Sequence, residues 1–166
     1  MTTVKSLLQR THYKSPLGWI KITGDESGIV EVAFMSRPLN RCPAPAPALL
    51  RRCAKELQEY FRGERTRFSI PVRLEGSHFQ TLVWNKLRDV GYAKKISYKE
   101  LAAAVGVPRA ARAVGGALNK NKIAVVVPCH RVVGRDGSLT GYASGIRKKR
   151  RLLNHERLVL DQKRKA

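Results

Sequence analysis

The chain has 166 residues, 43% of them hydrophobic, and 33 Lys and Arg against 12 Asp and Glu, for a net charge of +21. That length suits one ordinary domain or two small ones. No run approaches the ~18 apolar residues of a membrane span, and the first twenty residues lack a signal peptide's apolar core and cleavage site. An intracellular protein is expected, cytoplasmic in a prokaryote or nuclear in a eukaryote, with no membrane partner. The charge is uneven: residues 1–75 carry 13 basic and 7 acidic residues, net +6, and residues 76–166 carry 20 and 5, net +15. Such a field favours a polyanion, and nucleic acid is the default. Cys42, Cys53, Cys129 and four scattered histidines form no zinc-site spacing, so no metal is expected.

Taken in chain order, "GWIKITGDESGIVEVAF" (18–34) alternates on either side of a turn-like "GDESG", which predicts a β-hairpin. "RPLNRCPAPAPA" (37–48) reads as a connecting loop. Leu49, Leu50, Cys53, Leu57, Tyr60 and Phe61 then recur at helical spacing up to Gly63, with Cys53 as a core residue. "RFSIPVRL" (67–74) is a candidate further strand. Ser77 caps a helix with a stripe at Phe79, Leu82, Val83, Leu87 and Val90. Ser97 and Glu100 form a capping box for the next, short helix. Gly106-Val107 turn the chain, and Pro108 is expected at the first position of a second short helix. Two short helices around a tight turn outline a helix-turn-helix.

The second helix, "PRAARAVGGALN", carries bulk only at Val114 and Leu118. It lacks the long polar side chains that read base edges in a major groove. Small residues allow a close backbone approach, so the helix suits DNA recognised by shape, with Arg112 as a probe or wedge.

"IAVVV" (123–127) reads as a short buried strand leading, through Pro128, to Cys129 and His130. A free thiol is only a few per cent ionised at neutral pH and needs a base or a positive environment to act as a nucleophile. His130 is the obvious base. In an extended chain adjacent side chains point to opposite faces, so either the chain turns at Cys129 or a water carries the proton. His130 wants a carboxylate behind it. Of the five acidic residues beyond position 75, Glu156 in "LLNHE" is the best placed, in what reads as a C-terminal helical turn. "GRDGSLTGYASG" (134–145) is a loop of the kind that covers a small substrate, with Tyr142 inside it. The five consecutive basic residues at 147–151 read as a solvated face.

With these segments assembled, the sequence resembles the O6-alkylguanine-DNA alkyltransferase family. The resemblance rests on Pro128-Cys129-His130-Arg131-Val132, on "ISYKELA" and "ARAVGGALNKN" ahead of it, and on "GYASG" and "LLNHE" behind it. It is close over residues 77–156 and looser over "SPLGWIKI". It implies direct-reversal repair: an irreversible, single-turnover transfer of a methyl or larger alkyl group from O6-alkylguanine, with O4-alkylthymine as a second candidate, to Cys129. No cofactor is implied. The partner is double-stranded DNA carrying the lesion, and the protein acts as a monomer, with cooperation along DNA left open. The resemblance gives His130 the thiol proton through water, Glu156 the orienting of His130, and Asn121 the brace between recognition helix and active-site strand. Tyr98 helps rotate the nucleotide, Ala111 and Arg135 contact DNA, and Arg112 contacts it and fills the gap left by the flipped base. Tyr142 covers that base and protonates the departing guanine, while Val132, Ala143 and Ser144 bind it. Ser144 stands where the family commonly has glycine, and Arg150 and Arg151 stand at its usual Glu and Trp; "VGYAKKISY" lacks its Pro-Tyr-Gly.

The expected fold is α+β: a small N-terminal sheet-and-helix domain (1–75) with a supporting role, and a larger, mainly helical C-terminal domain (76–166). The latter holds the helix-turn-helix and a short strand leading to Cys129. A non-catalytic helix-turn-helix DNA-lesion-binding or regulatory protein would leave the Cys-His pair unused. A cysteine hydrolase would leave the +15 unused.

Overall fold

The computed structural model describes residues 7–42 and 45–166. Its contacts divide the chain into two compact units, one ending at Arg73 and the other beginning at Leu74.

In the first unit, strands β1 (Gln9–Ser15), β2 (Gly18–Asp25) and β3 (Gly28–Met35) form an antiparallel meander in the order β1-β2-β3. Ser15 pairs with Gly18 across one turn and Asp25 with Gly28 across the next. The hairpin expected at 18–34 is β2-β3. β1 escapes a reading based on apolar alternation because only Ser15 of its seven residues is buried. Helix α1 (Ala48–Phe61) packs on the sheet. It buries Leu50, Cys53, Leu57 and Tyr60 completely, the spacing of one helical face, and the sheet buries Ile20, Ile22, Ile29 and Val32.

The strand expected at 67–74 is absent; the segment makes one isolated parallel bridge, Ile29 to Val72. Ile29 donates to Pro71 O at 2.9 Å and Arg73 donates to Ile29 O at 2.8 Å. Pro71 has no N–H with which to extend the ladder.

The second unit is built on α2 (His78–Arg88), α3 (Tyr98–Ala104), α4 (Ala111–Asn119) and α5 (Ile146–Lys165). Ser77 and Ser97 each close a full capping box, with Gln80 and Glu100. The buried face of α2 is Val83, Trp84 and Leu87, whereas Leu82 is 41% exposed. The expected stripe keeps Val83 and Leu87 and exchanges Leu82 for Trp84, whose indole donates to Ala117 O at 2.8 Å and locks α2 on α4. α3 and α4 form the helix-turn-helix, but α4 begins at Ala111 and not at Pro108. Gly106 sits at φ +84, and Ala110 N–H donates to Val107 O at 2.8 Å. Pro108 therefore occupies the second position of a β-turn, where its fixed φ is equally at home.

The strand expected at Ile123–Val127 is a turn: Val127 donates back to Ile123 O at 3.0 Å, and Val125 lies at φ 70. The run is apolar because Ile123, Val125, Val126 and Val127 are buried, not because it is extended. The short strand comes after the cysteine. β5 (Val132–Val133) pairs in parallel with β4 (Ile96–Ser97). Among the described residues no helix is long and apolar enough to cross a membrane.

Candidate active site

Cys129 opens a single 3-10 turn, Cys129–Arg131, closed by Arg131 N–H donating to Pro128 O at 3.0 Å. The chain thus turns at the cysteine, which resolves the difficulty an extended Cys-His pair would pose. Asn121, just beyond α4, holds the approach to this turn. Its Oδ1 accepts from Ile123 N–H at 2.9 Å, and its Nδ2 donates to Val127 O at 3.1 Å and to Cys129 Sγ at 2.8 Å. One amide therefore clips both ends of the apolar turn and touches the sulfur. Cys129 is only 7% exposed. Burial pushes its thiol up to about 12, with Asn121 and the charge of Lys149 acting in the opposite direction. A buried thiol of this kind needs a proton acceptor before it can attack anything.

His130, the next residue, is fully buried. Its Nε2 lies 2.7 Å from Glu156 Oε1. Its Nδ1 is buried with no hydrogen-bond partner among the described residues. With Nε2–H donating to the carboxylate, Nδ1 carries the free lone pair. Burial lowers the proton affinity of His130; the Glu156 charge opposes this, and Arg131 and Lys149 reinforce it. Glu156 lies in the middle of α5, not in its last turn. It also accepts from Arg131 and from Ala93 N–H at 3.0 Å. Burial alone would raise its carboxyl, but His130 and Arg131 hold it well below the carboxylate range.

A pocket of about 380 Å³, open solvent at its mouth included, stands over Cys129. Its lining comes from the end of α4 and the turn after it, with Leu118 and Asn121, and from the 141–144 loop, with Tyr142 and Ser144. The Tyr142 hydroxyl is buried without a hydrogen-bond partner among the described residues. Burial first, then the charges of Cys129 and Glu156, push its ionisation upward, so it remains a donor. Val132, by contrast, does not line the pocket: its side chain is fully buried and it pairs with Ile96 in the β4-β5 ladder.

Sequence reasoning missed Lys149. The run 147–151 reads as a solvated face, yet Lys149 is fully buried between exposed Arg147 and Arg150. Its Nζ donates to Thr140 O at 3.0 Å and Gly141 O at 3.1 Å and lies 5.8 Å from the Tyr98 ring. Tyr98, the first residue of α3, donates its hydroxyl to the same Thr140 carbonyl at 2.7 Å. Gly141, at φ +56, bends the loop there. Two side chains from separate helices thus tether the segment that carries Tyr142. Only the helical spacing of Lys149, three residues before Leu152 and seven before Glu156, could have placed it on the inner face.

Arg112 is exposed at the second position of α4, next to half-buried Ala111, and Arg135 is exposed in the turn where Gly134 N–H donates to Ser138 O. Among the described residues no group of three His, Cys, Asp or Glu is placed to hold a metal ion.

Fold and site define an α+β protein in which a helix-turn-helix stands beside a buried thiol backed by an imidazole-carboxylate pair. Residues 78–158 match the 6-O-methylguanine DNA methyltransferase DNA-binding domain, and residues 8–74 the ribonuclease-like domain of the same proteins. A methylated-DNA–protein-cysteine methyltransferase of Methanosarcina acetivorans is 42% identical over 149 residues, 87% of this chain and 95% of its own. One from Mycobacterium tuberculosis is 40% identical over 152 residues, 88% and 92% respectively. The crystal structure of Mycobacterium tuberculosis OGT in complex with DNA superposes with a TM-score of 0.82 at 38% identity, over 90% of this chain and 93% of that one. The chain belongs to the 6-O-methylguanine DNA methyltransferase family.

Proposed function

We propose that the protein repairs DNA by direct reversal, taking the alkyl group of an O6-alkylguanine onto its own Cys129 in a single turnover. The observation that carries this reading is a pocket lined by Cys129 and by Asn121, whose amide touches the sulfur, with the next residue, His130, holding a buried Nδ1 that has no hydrogen-bond partner among the described residues. The pocket opens beside α4, where Arg112 is free to enter a base stack. Flipping the nucleotide out is the general solution for chemistry on a paired base.

In the reaction the Cys129 proton passes to His130 Nδ1, through a water, while Glu156 stabilises the imidazolium. The sulfur forms a bond to the alkyl carbon as the carbon–O6 bond breaks, its electron pair staying on the guanine. Tyr142 gives the guanine a proton and recovers one from the imidazolium through solvent. The net result is a thioether and an unmodified guanine. Nothing regenerates the thiol, so the protein is consumed. Lys149 and Tyr98 fix the Tyr142 loop, and Ala143 and Ser144 complete the wall against the base.

The basic surface of the second unit binds the duplex, and the first unit, bounded near residue 75, supports it. This work belongs inside the cell, where the DNA is. Incubation with excess duplex carrying O6-methylguanine tests the reading. One equivalent of lesion should be cleared in a burst, with none thereafter. Continued turnover, or tight lesion binding with no clearance, would contradict it, the latter in favour of a lesion-sensing module.

A further inference from the structure

His130, Arg131 and Glu156 form one buried cluster that starts at the residue after Cys129. Arg131 is 6% exposed. Its Nη2 lies 2.9 Å from Glu156 Oε1, its Nε 3.0 Å from Oε2, and its Nη1 donates to Val90 O at 2.6 Å. The guanidinium stands 5.7 Å from the centre of the Tyr92 ring. It is held from three sides, and it shares Oε1 with His130 Nε2.

We propose that Arg131 is a positioning residue: by forking onto the carboxylate that His130 also touches, it keeps the imidazole neutral and so leaves Nδ1 able to take the Cys129 proton. This rests on the alkyl-transfer reading above. A buried carboxylate facing an imidazole alone draws a proton onto it, because a lone buried charge is far costlier than a pair. The resulting imidazolium would carry hydrogens on both nitrogens and could accept nothing. A guanidinium does not give up its charge in a protein, so with Arg131 in place the carboxylate is already compensated.

The other groups around the imidazole agree with this balance. Lys149, on the same helix as Glu156, opposes a further positive charge at His130. The Tyr92 and Tyr142 hydroxyls are held neutral by burial. Glu156 is the group whose charge favours imidazolium, and Arg131 is the fixed positive charge that compensates it.

The test is an NMR titration of the His130 ring in the full-length protein, alongside the pH dependence of single-turnover methyl transfer. In the unsubstituted protein His130 should titrate below the ordinary value of ~6.5 and carry its proton on Nε2 at neutral pH. Arg131→Gln should raise the midpoint by about one pH unit or more, and the acid limb of the transfer rate should move with it while lesion binding persists. Arg131→Lys, which keeps the charge, should return most of the shift. An imidazolium already present at pH 7 in the unsubstituted protein would overturn the proposal even if Arg131→Gln fails to fold. So would a folded Arg131→Gln with an unmoved midpoint, or a lysine variant displaced as far as the glutamine one. Absent methyl transfer with a low-titrating His130 would count against the proposed function alone, since the ring titration is read without DNA.

Discussion

Among the described residues each unit contains one buried glutamate, and the two are built alike. Glu56 in the first unit accepts from Ser69 N–H at 2.8 Å, Ser69 Oγ at 2.7 Å and Arg52 Nε at 3.2 Å, with Arg65 Nη1 3.6 Å away. Glu156 in the second accepts from Ala93 N–H, Arg131 and His130. In both, burial works against the charge and the partners prevail, so both carboxyls lie below their ordinary range. The cysteines match as well: Cys53 and Cys129 are both buried, and burial is the first cause pushing each to about 12. Burial and perturbed ionisation therefore do not distinguish a reactive site from a packed core. The difference lies in the partners. Among the described residues Glu56 is met by guanidinium, hydroxyl and backbone amide groups; one partner of Glu156 is an imidazole whose second nitrogen can still take a proton. Cys53 has only Glu56 acting on it, which opposes ionisation, whereas Cys129 has Asn121 and Lys149, which favour it.

Paired substitutions would break this contrast if it is wrong. The largest expected effect is Cys129→Ala, which should abolish transfer and leave lesion binding intact, while Cys53→Ala leaves transfer intact and costs ~1–2 kcal/mol of stability. Burst amplitudes and urea midpoints of the two variants decide it. Next come the glutamates. Glu156→Gln should slow transfer on the order of 10²-fold or more, the scale of lost general-base catalysis. Glu56→Gln should cost roughly 3 kcal/mol of stability, as breaking a buried ion pair does, with the rate per folded molecule unchanged. Single-turnover rates corrected for the folded fraction separate the two effects.

A smaller effect is expected at the surface. Arg112→Ala should slow repair of a well-paired lesion by about tenfold, and of a mismatched one by less, because a mismatch already lowers the cost of flipping. Equal losses on both duplexes would remove its wedge role. The smallest effect is on acid stability. Folded Glu56 and Glu156 titrate below their unfolded value of about 4.3, so each contributes stability that is complete above that pH and is lost as the pH falls toward the folded value. Stability measured from neutral pH downward should fall below about pH 4, and either glutamine variant should flatten that fall.

Sequence reasoning reached those features whose signal is local. The capping boxes at Ser77 and Ser97 need only residues three apart, and the α1 stripe from Leu50 to Tyr60 repeats at helical spacing. It failed where a distant partner decides. Ile123–Val127 is apolar enough for a strand, but Asn121 clips its ends together. Pro108 suits a helix start or a turn, and the hydrogen bond from Ala110 selects the turn. Lys149 is indistinguishable from its basic neighbours until the Thr140 and Gly141 carbonyls are seen to receive it. At the site, Cys129, His130 and Glu156 were legible from the residues themselves and Asn121 only through family resemblance; the structure pairs Asn121 with Cys129 and Glu156 with His130. Arg131 was quoted in the motif and given no role, because its partner lies 25 residues away on α5.

The most direct measurement is the intact mass of the protein after mixing with a duplex carrying O6-methylguanine, followed by peptide mapping. The account predicts a gain of one methylene per molecule, saturating at one, located on the peptide containing Cys129. Cys42 and Cys53 should remain unmodified and serve as controls within the same chain. A methyl group on either of those, or none at all despite a tightly bound lesion, would contradict it.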